Sequence, residues 1–175
     1  MNNKIIKIDD VEGKVYELDN WKPEQATQVK NHFTERFKEL KEAYDKLIKD
    51  HPSSSYADQG TLVMAKYLFD AGNYSLALDA LKPLMSRENS VIASTASLRT
   101  ASLFLELGQH KEALAALNME NANEFSGLFY NLAGDVYLDL GNNEQAKNNY
   151  ALAIENVTEN SSLTQLIQIK LDDLN

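Results

Sequence analysis

Three of the seven glycines in this 175-residue chain recur in one sequence context. Gly72, Gly108 and Gly141 are separated by 36 and then 33 residues. A small residue lies seven positions before each glycine and a large apolar residue four positions before it, while alanine follows at five positions and leucine or tyrosine at nine. Such a recurrence indicates similar units that stack, because one short unit cannot bury its apolar face alone. The recurring positions are Ala65, Leu68, Ala77 and Leu81 in the first copy, Ala101, Phe104, Ala113 and Leu117 in the second, and Gly134, Tyr137, Ala146 and Tyr150 in the third.

A pair of antiparallel helices joined by a tight turn explains this pattern. Glycine ends the first helix because it adopts a left-handed backbone conformation at little cost. The small residue before it and the alanine after it allow the two helices to approach closely, and the larger residues fill the space between neighbouring pairs. A helix–turn–helix period near ~34 residues resembles the tetratricopeptide repeat. The sequence therefore predicts an all-α, tetratricopeptide-like solenoid of helical hairpins.

The repeat pattern places three hairpins at about 56–86, 90–118 and 124–156. An apolar stripe with steps of three and four residues predicts a long helix before them, near 24–50. Residues 1–20 are compatible with a β-hairpin or with an N-terminal arm, and the sequence leaves both open. We thus expect a single repeat domain over residues 21–175 that follows this N-terminal segment.

The last segment, residues 161–174, has the pattern of an amphipathic helix. A solenoid needs a terminal element with a polar outer face, since otherwise the last repeat exposes its apolar side to water. We therefore predict that this helix caps the third hairpin, with Ser161 or Ser162 at its N-cap. Its predicted contact face comprises Leu163, Leu166, Ile167, Leu171 and Leu174.

The composition argues against several kinds of chemistry. The chain has no cysteine, which removes disulfides, thiolate metal ligands and cysteine nucleophiles. Its net charge of −9 repels a phosphate backbone, so we expect no nucleic-acid partner. The three histidines are far apart in sequence, and the chain has neither a glycine-rich phosphate loop nor a nucleophile motif. The sequence therefore predicts a non-enzymatic protein with no cofactor, no bound metal and no small-molecule substrate.

Function is then expected on the surface of the solenoid, where the first helices of stacked hairpins line a concave groove. One apolar row, Phe69, Leu105 and Leu138, recurs in every copy. An exposed row would suit extended or helical peptide segments with apolar side chains, whereas a buried row would belong to the packing of the stack. The predicted protein-binding groove comprises Leu62, Lys66 and Phe69 in the first copy, Leu98, Ser102 and Leu105 in the second, and Asn131, Asp135 and Leu138 in the third.

Several longer segments resemble one known family. The stretches "IKDHPSSSYADQGTLVMAKYLFDAGNYSLALDALKPL", "LRTASLFLELGQHKEALAAL" and "FSGLFYNLAGDVYLDLGNNEQAKNNYALAI" are similar to the three hairpins of the ancillary SecYEG translocon subunits, the YfgM family. The ending "SSLTQLIQIKLDDLN" resembles that family's closing helix and is the most specific of these motifs, because generic repeats do not share it. The resemblance extends from about residue 43 to residue 175.

The resemblance implies a domain on the periplasmic face of the bacterial inner membrane. Its partners would be translocon subunits, a membrane-anchored periplasmic chaperone and emerging client polypeptides, and no catalytic residues are implied. A membrane span would precede the domain; residues 1–20 match no such span, so membrane contact would come only through an anchor absent from this chain. An alternative is a structural scaffold of outer-membrane assembly or of another cell-envelope complex, whose "HPSSSYA" turn looks much the same.

Overall fold

The computed structural model describes residues 6–9, 14–17, 23–119, 122–157 and 161–174, with side chains from Glu35 onward. The chain divides into two compact units, Met1–Asp45 and Lys46–Asn175. Within the first unit, strands β1 (Ile6–Asp9) and β2 (Lys14–Glu17) pair antiparallel. Helix α1 is Pro23–Asp50. The described part of its surface carries exposed ion pairs between residues four positions apart, such as Lys38 with Glu42 at 3.9 Å. Such pairs stabilise a solvent-exposed helix only weakly.

After α1, the described residues of the second unit form three helical hairpins and one further helix. The first hairpin is α2 (Ser55–Asp70) and α3 (Tyr74–Leu81), and a 3-10 turn at Lys82–Ser86 follows it. The second is α4 (Ser90–Glu106) and α5 (His110–Ala116). A 3-10 turn at Asn123–Phe125 leads into the third, α6 (Ser126–Asp139) and α7 (Asn143–Glu155), and α8 (Ser162–Asp172) packs on α7.

Helix α3 is shorter than the repeat pattern predicts. The expected helix continued to about residue 86, but the α-helical geometry ends at Leu81 and changes to the 3-10 turn that contains Pro83. Proline lacks the backbone N–H that the helix needs and its ring collides with the preceding turn. The short 3-10 segment keeps Leu84 buried, at 2% exposure, and so continues the apolar packing beyond the helix.

All three hairpin turns have the same backbone conformation, as the glycine pattern predicts. Gly72, Gly108 and Gly141 have φ angles of 76°, 67° and 72°. The N–H of each donates to the carbonyl three residues earlier, and the N–H of the following residue donates to the carbonyl five residues earlier, at 2.8–2.9 Å. A Cβ at any of these glycines would meet no atom within 4 Å. The left-handed backbone, rather than crowding, therefore requires glycine here.

The recurring small residues lie at the helix contacts, which confirms the predicted phase of the repeat. Ala77, Ala113 and Ala146 are each 0% exposed, and Ala65 and Ala101 are at most 1% exposed. In the third copy the small residue is glycine and the large one is tyrosine. A Cβ on Gly134 would overlap the Tyr150 ring, with Cδ1 at 2.5 Å. The ring therefore fills the volume that a methyl group occupies in the first two copies.

Helix α8 begins at Ser161, whose hydroxyl accepts a hydrogen bond from the Thr164 N–H at 3.1 Å. Ile167 is fully buried in a cluster with residues of α7, and three other apolar side chains of the predicted face are half-buried against that cluster. The prediction for Leu166 is wrong, because this side chain is 50% exposed. A helical step of one residue turns the side chain by about 100°, which moves Leu166 away from a contact face centred on its neighbour. The half-buried side chains are Leu163, Leu171 and Leu174.

Candidate functional site

The predicted groove residues of the first copy have three different environments on α2. Leu62 is buried at 8% exposure, and its carbonyl accepts a hydrogen bond from the Arg99 guanidinium of α4 at 2.5 Å. Lys66 is exposed and pairs with Asp70 one turn later at 2.7 Å. Phe69 is half-buried, with its ring centroid 5.5 Å from that of Tyr74. Only part of this set is therefore available to a partner.

The second copy also divides between core and surface. Leu98 is half-buried and packs against the core cluster around Ala101 and Phe129. Ser102 is exposed, and Leu105 is half-buried at the end of the same helix face. The apolar row predicted across the copies is thus partly covered at Phe69 and Leu105 and more open at Leu138, which is 40% exposed.

An open cleft of about 790 Å³ lies where α4, α6 and α8 meet. It brings together three of the nine predicted groove residues, Leu105, Asp135 and Leu138, and leaves the other six outside its lining. Sequence reasoning missed the contribution of α8 to this site. The remaining lining residues are Glu106, Gly108, Asp139 and Lys170.

Lys170 links the C-terminal helix to the third hairpin. Its Nζ donates to Asp135 Oδ1 at 2.6 Å and Oδ2 at 2.9 Å, and to Asn131 Oδ1 at 3.1 Å. The same ammonium lies 5.5 Å from the centroid of the Tyr150 ring, within the range of a cation–π interaction. The sequence signal was present, because Lys170 lies three residues after the buried Ile167 and therefore on the same helix face.

Tyr150 completes this polar contact from α7. Its hydroxyl donates to Asp135 Oδ1 at 2.7 Å, although the residue as a whole is fully buried. Burial raises the pKa of the Tyr150 hydroxyl above its ordinary value, and the hydrogen bond to Asp135 and the negative charge of that carboxylate raise it further. The phenol therefore stays protonated at neutral pH and acts as a donor. Asp135, predicted to contact a partner, is held by donors from α7 and α8.

A second polar contact lies at the edge of the cleft. His110 Nε2 is 2.6 Å from Asp139 Oδ2, and this contact joins the start of α5 to the end of α6. Asp139 remains 59% exposed at its side chain. Among the described lining residues, the charged groups are thus three carboxylates and Lys170. Lys170 engages Asp135, and His110 contacts Asp139.

Within the described ranges, no three histidine, cysteine, aspartate or glutamate side chains are grouped so as to hold a metal ion. Among the helices whose residues are described, none has the length and apolarity to cross a membrane. The cleft offers carboxylates, one ammonium and two leucines on an open surface, an arrangement that suits contact with another polypeptide.

Residues 22–175 match the family model of the tetratricopeptide repeat-like domain. The chain belongs to this family. It is 35% identical over 134 residues to a protein from Aggregatibacter actinomycetemcomitans named ancillary SecYEG translocon subunit, covering 76% of this chain and 65% of that protein. It is 34% identical over 137 residues to a protein of the same name from Neisseria gonorrhoeae, covering 78% and 66%. The resemblance seen in the sequence is confirmed, and the chain spans about two thirds of the length of these relatives.

Solved structures show the same fold at lower sequence identity. A tetratricopeptide repeat protein from Parabacteroides merdae has a TM-score of 0.60 and 18% identity, covering 84% of this chain and 60% of that one. The type III secretion translocator chaperone SycD of Yersinia enterocolitica has a TM-score of 0.58 and 18% identity, covering 69% and 85%. These similarities confirm the predicted helical, tetratricopeptide-like fold.

Proposed function

We propose that this domain is a non-enzymatic interaction module that acts as an adaptor at the Sec translocon. Identity of 34–35% to two ancillary SecYEG translocon subunits over most of the repeat domain is the observation that carries the proposal. On this proposal the domain lies on the periplasmic side of the inner membrane. It contacts translocon subunits, a periplasmic chaperone and emerging client polypeptides.

The geometry of the second unit supports a protein partner. Its first helices present exposed or half-exposed side chains from three copies, and the cleft at the junction of α4, α6 and α8 combines leucines with charged groups. Mixed apolar and polar lining is typical of protein interfaces. We propose that this face, comprising the exposed predicted groove residues and the cleft, is the contact surface.

Site-specific photocrosslinking in envelope membranes tests the proposal. A photoreactive amino acid at Ser102, exposed on α4, should crosslink to a translocon subunit in these membranes. The same group at Asp79, exposed on α3 and outside the predicted groove, is the control. Crosslinks from Asp79 and not from Ser102 would place the contact elsewhere, and crosslinks only to outer-membrane assembly proteins would contradict the translocon assignment.

A pair of alanine substitutions tests the groove itself. Phe69→Ala combined with Leu105→Ala should reduce co-purification of the translocon with little change in melting temperature, because both side chains are only half-buried. Ile167→Ala is a matched change at a fully buried apolar site. It should instead lower the melting temperature, since truncating a buried residue costs about 2–5 kcal/mol. A similar loss of stability in both variants would assign Phe69 and Leu105 to the core.

A further inference from the structure

We infer that the cleft between α4, α6 and α8 selects a polypeptide segment that carries lysine or arginine next to leucine-sized apolar side chains. The inference rests on the proposed function, because it takes this face to be a protein-binding surface. It adds the chemistry of the segment that binds there.

The charge of the cleft favours a cationic segment. Its described lining contains Glu106, Asp135 and Asp139 and one basic residue, Lys170. Lys170 engages Asp135 and Asn131, and His110 Nε2 contacts Asp139 Oδ2 at 2.6 Å. The acidity open to a partner therefore rests on Glu106 and on Asp139, whose side chain is still 59% exposed. Both are exposed at the ends of their helices. A segment with basic side chains would pair with them, whereas an acidic segment would add like charges to the same surface.

The apolar part of the lining adjoins these charges in sequence. Leu105 immediately precedes Glu106 on α4, and Leu138 immediately precedes Asp139 on α6. Leu138 is 40% exposed. Covering these leucines removes apolar surface from water, so a purely cationic, hydrophilic segment would use only half of the site.

The structure contains an internal example of the same recognition. The ammonium of Lys170 reaches the third hairpin from α8. The ammonium binds two carboxylate oxygens and one amide oxygen, and it lies over the Tyr150 ring. The face of α6 that carries Asp135 therefore binds an ammonium from another helix, and Asp139 lies one turn further along that face.

Peptide binding to the whole 175-residue chain tests the inference by fluorescence anisotropy. The probes are three labelled peptides of equal length, built from alternating leucine and lysine, leucine and glutamate, or serine and lysine. The leucine–lysine peptide should bind most tightly, and its affinity should fall as ionic strength rises. Equal or tighter binding of the leucine–glutamate peptide, or of the serine–lysine peptide, would overturn the inference.

Matched charge variants then locate the binding. Glu106→Gln with Asp139→Asn should raise the Kd for the leucine–lysine peptide by about two- to fivefold for each exposed pair removed. Leu138→Ala should also weaken binding. Glu144→Gln with Glu155→Gln changes the same net charge at exposed positions on α7 outside the cleft, and should leave the Kd unchanged. An equal loss in this control would show that the peptide responds only to the overall charge, which would overturn the inference.

These measurements contain no translocon, so they fail independently of the proposed function. Loss of the peptide preference with retained crosslinking from Ser102 removes the inference and leaves the adaptor role. Retained preference without any crosslink to the translocon removes the adaptor role and supports the selectivity of the cleft.

Discussion

Replacing Gly134 by alanine should destabilise the third hairpin even though alanine is the better helix former. The exchange gains about 1 kcal/mol of helix propensity. The new methyl group would overlap the Tyr150 ring, and overpacking of this kind costs about 1–3 kcal/mol. The fully buried ring is held by its hydrogen bond to Asp135, and displacing it would weaken a charged hydrogen bond worth about 1.5–3 kcal/mol. We expect a net loss of unfolding free energy of about 2 kcal/mol.

The effect of the same exchange should change sign when the ring is absent. Tyr150→Leu alone should lower the free energy of unfolding by about 2–4 kcal/mol, because it leaves a cavity and removes the hydrogen bond to Asp135. In that background Gly134→Ala restores the alanine–leucine combination found in the first copy at Ala65 and Leu81 and in the second at Ala101 and Leu117. The added methyl group then enters open space, so Gly134→Ala should stabilise the Tyr150→Leu variant by up to about 1 kcal/mol.

Urea unfolding of the original chain, both single variants and the double variant, followed by circular dichroism, measures this coupling. The four proteins should have equal m-values, so that their free energies compare similar folded and unfolded states. We expect an interaction free energy of at least about 1 kcal/mol. Additive effects of the two substitutions, or a Gly134→Ala variant as stable as the original chain, would refute the explanation that ring and glycine share one volume.

Three further predictions concern packing, burial and pH. Ala146→Leu should lower the free energy of unfolding by about 1–3 kcal/mol, while Ala115→Leu, at an exposed position, should change it by less than about 0.5 kcal/mol. Equal losses of the two variants in denaturant unfolding would contradict the assigned repeat phase. Thr100 Oγ1 is buried without a hydrogen-bond partner among the described residues, so Thr100→Val should stabilise the fold by about 1 kcal/mol, whereas Thr61→Val, which removes a hydrogen bond to the Ala57 carbonyl, should not. The pKa of the Tyr150 hydroxyl is raised in the folded state, so its contribution to the free energy of unfolding is present below the unfolded pKa of about 10 and is lost as pH rises above it, by up to about 1.4 kcal/mol per pH unit. Between about pH 9 and 11 the original chain should therefore lose stability more steeply than the Tyr150→Phe variant. Parallel stability profiles of the two proteins would contradict a raised pKa for Tyr150.

The hairpins could be predicted from sequence because local geometry determines them. Each hairpin depends on residues that lie near one another in sequence: a left-handed residue at the turn, a small residue five positions later and large residues on either side. Gly72, Gly108 and Gly141 are the left-handed residues of the three copies. The helix end at Leu81 was less accurately predicted: the repeat pattern extended the hairpin to about residue 86, whereas the α-helix ends at the 3-10 turn that contains Pro83.

The site could be predicted only in part, since its side chains depend on how separate helices rotate against one another. The repeat phase placed Leu105, Asp135 and Leu138 on one face, and all three line the same cleft. It could not supply the partner of Asp135, which lies 35 residues away on α8. The wrong prediction for Leu166 has the same cause. The apolar pattern of α8 allows several orientations of the helix, and the packing of Ile167 against the third hairpin selects one of them.

The contacts of α8 give the third hairpin a different role from the first two. In the first copy Lys66 is exposed and pairs with Asp70 of its own helix, and in the second the equivalent Ser102 is exposed. In the third copy the equivalent residue is Asp135, and Lys170 and Tyr150 both bind it. A helix that ends a solenoid buries the apolar side of the last repeat, and here it also uses a groove position of that repeat. Because Asp135 is engaged in this way, a partner of this face would meet the leucines and carboxylates at the ends of α4 and α6, together with the exposed positions of α2 and α4.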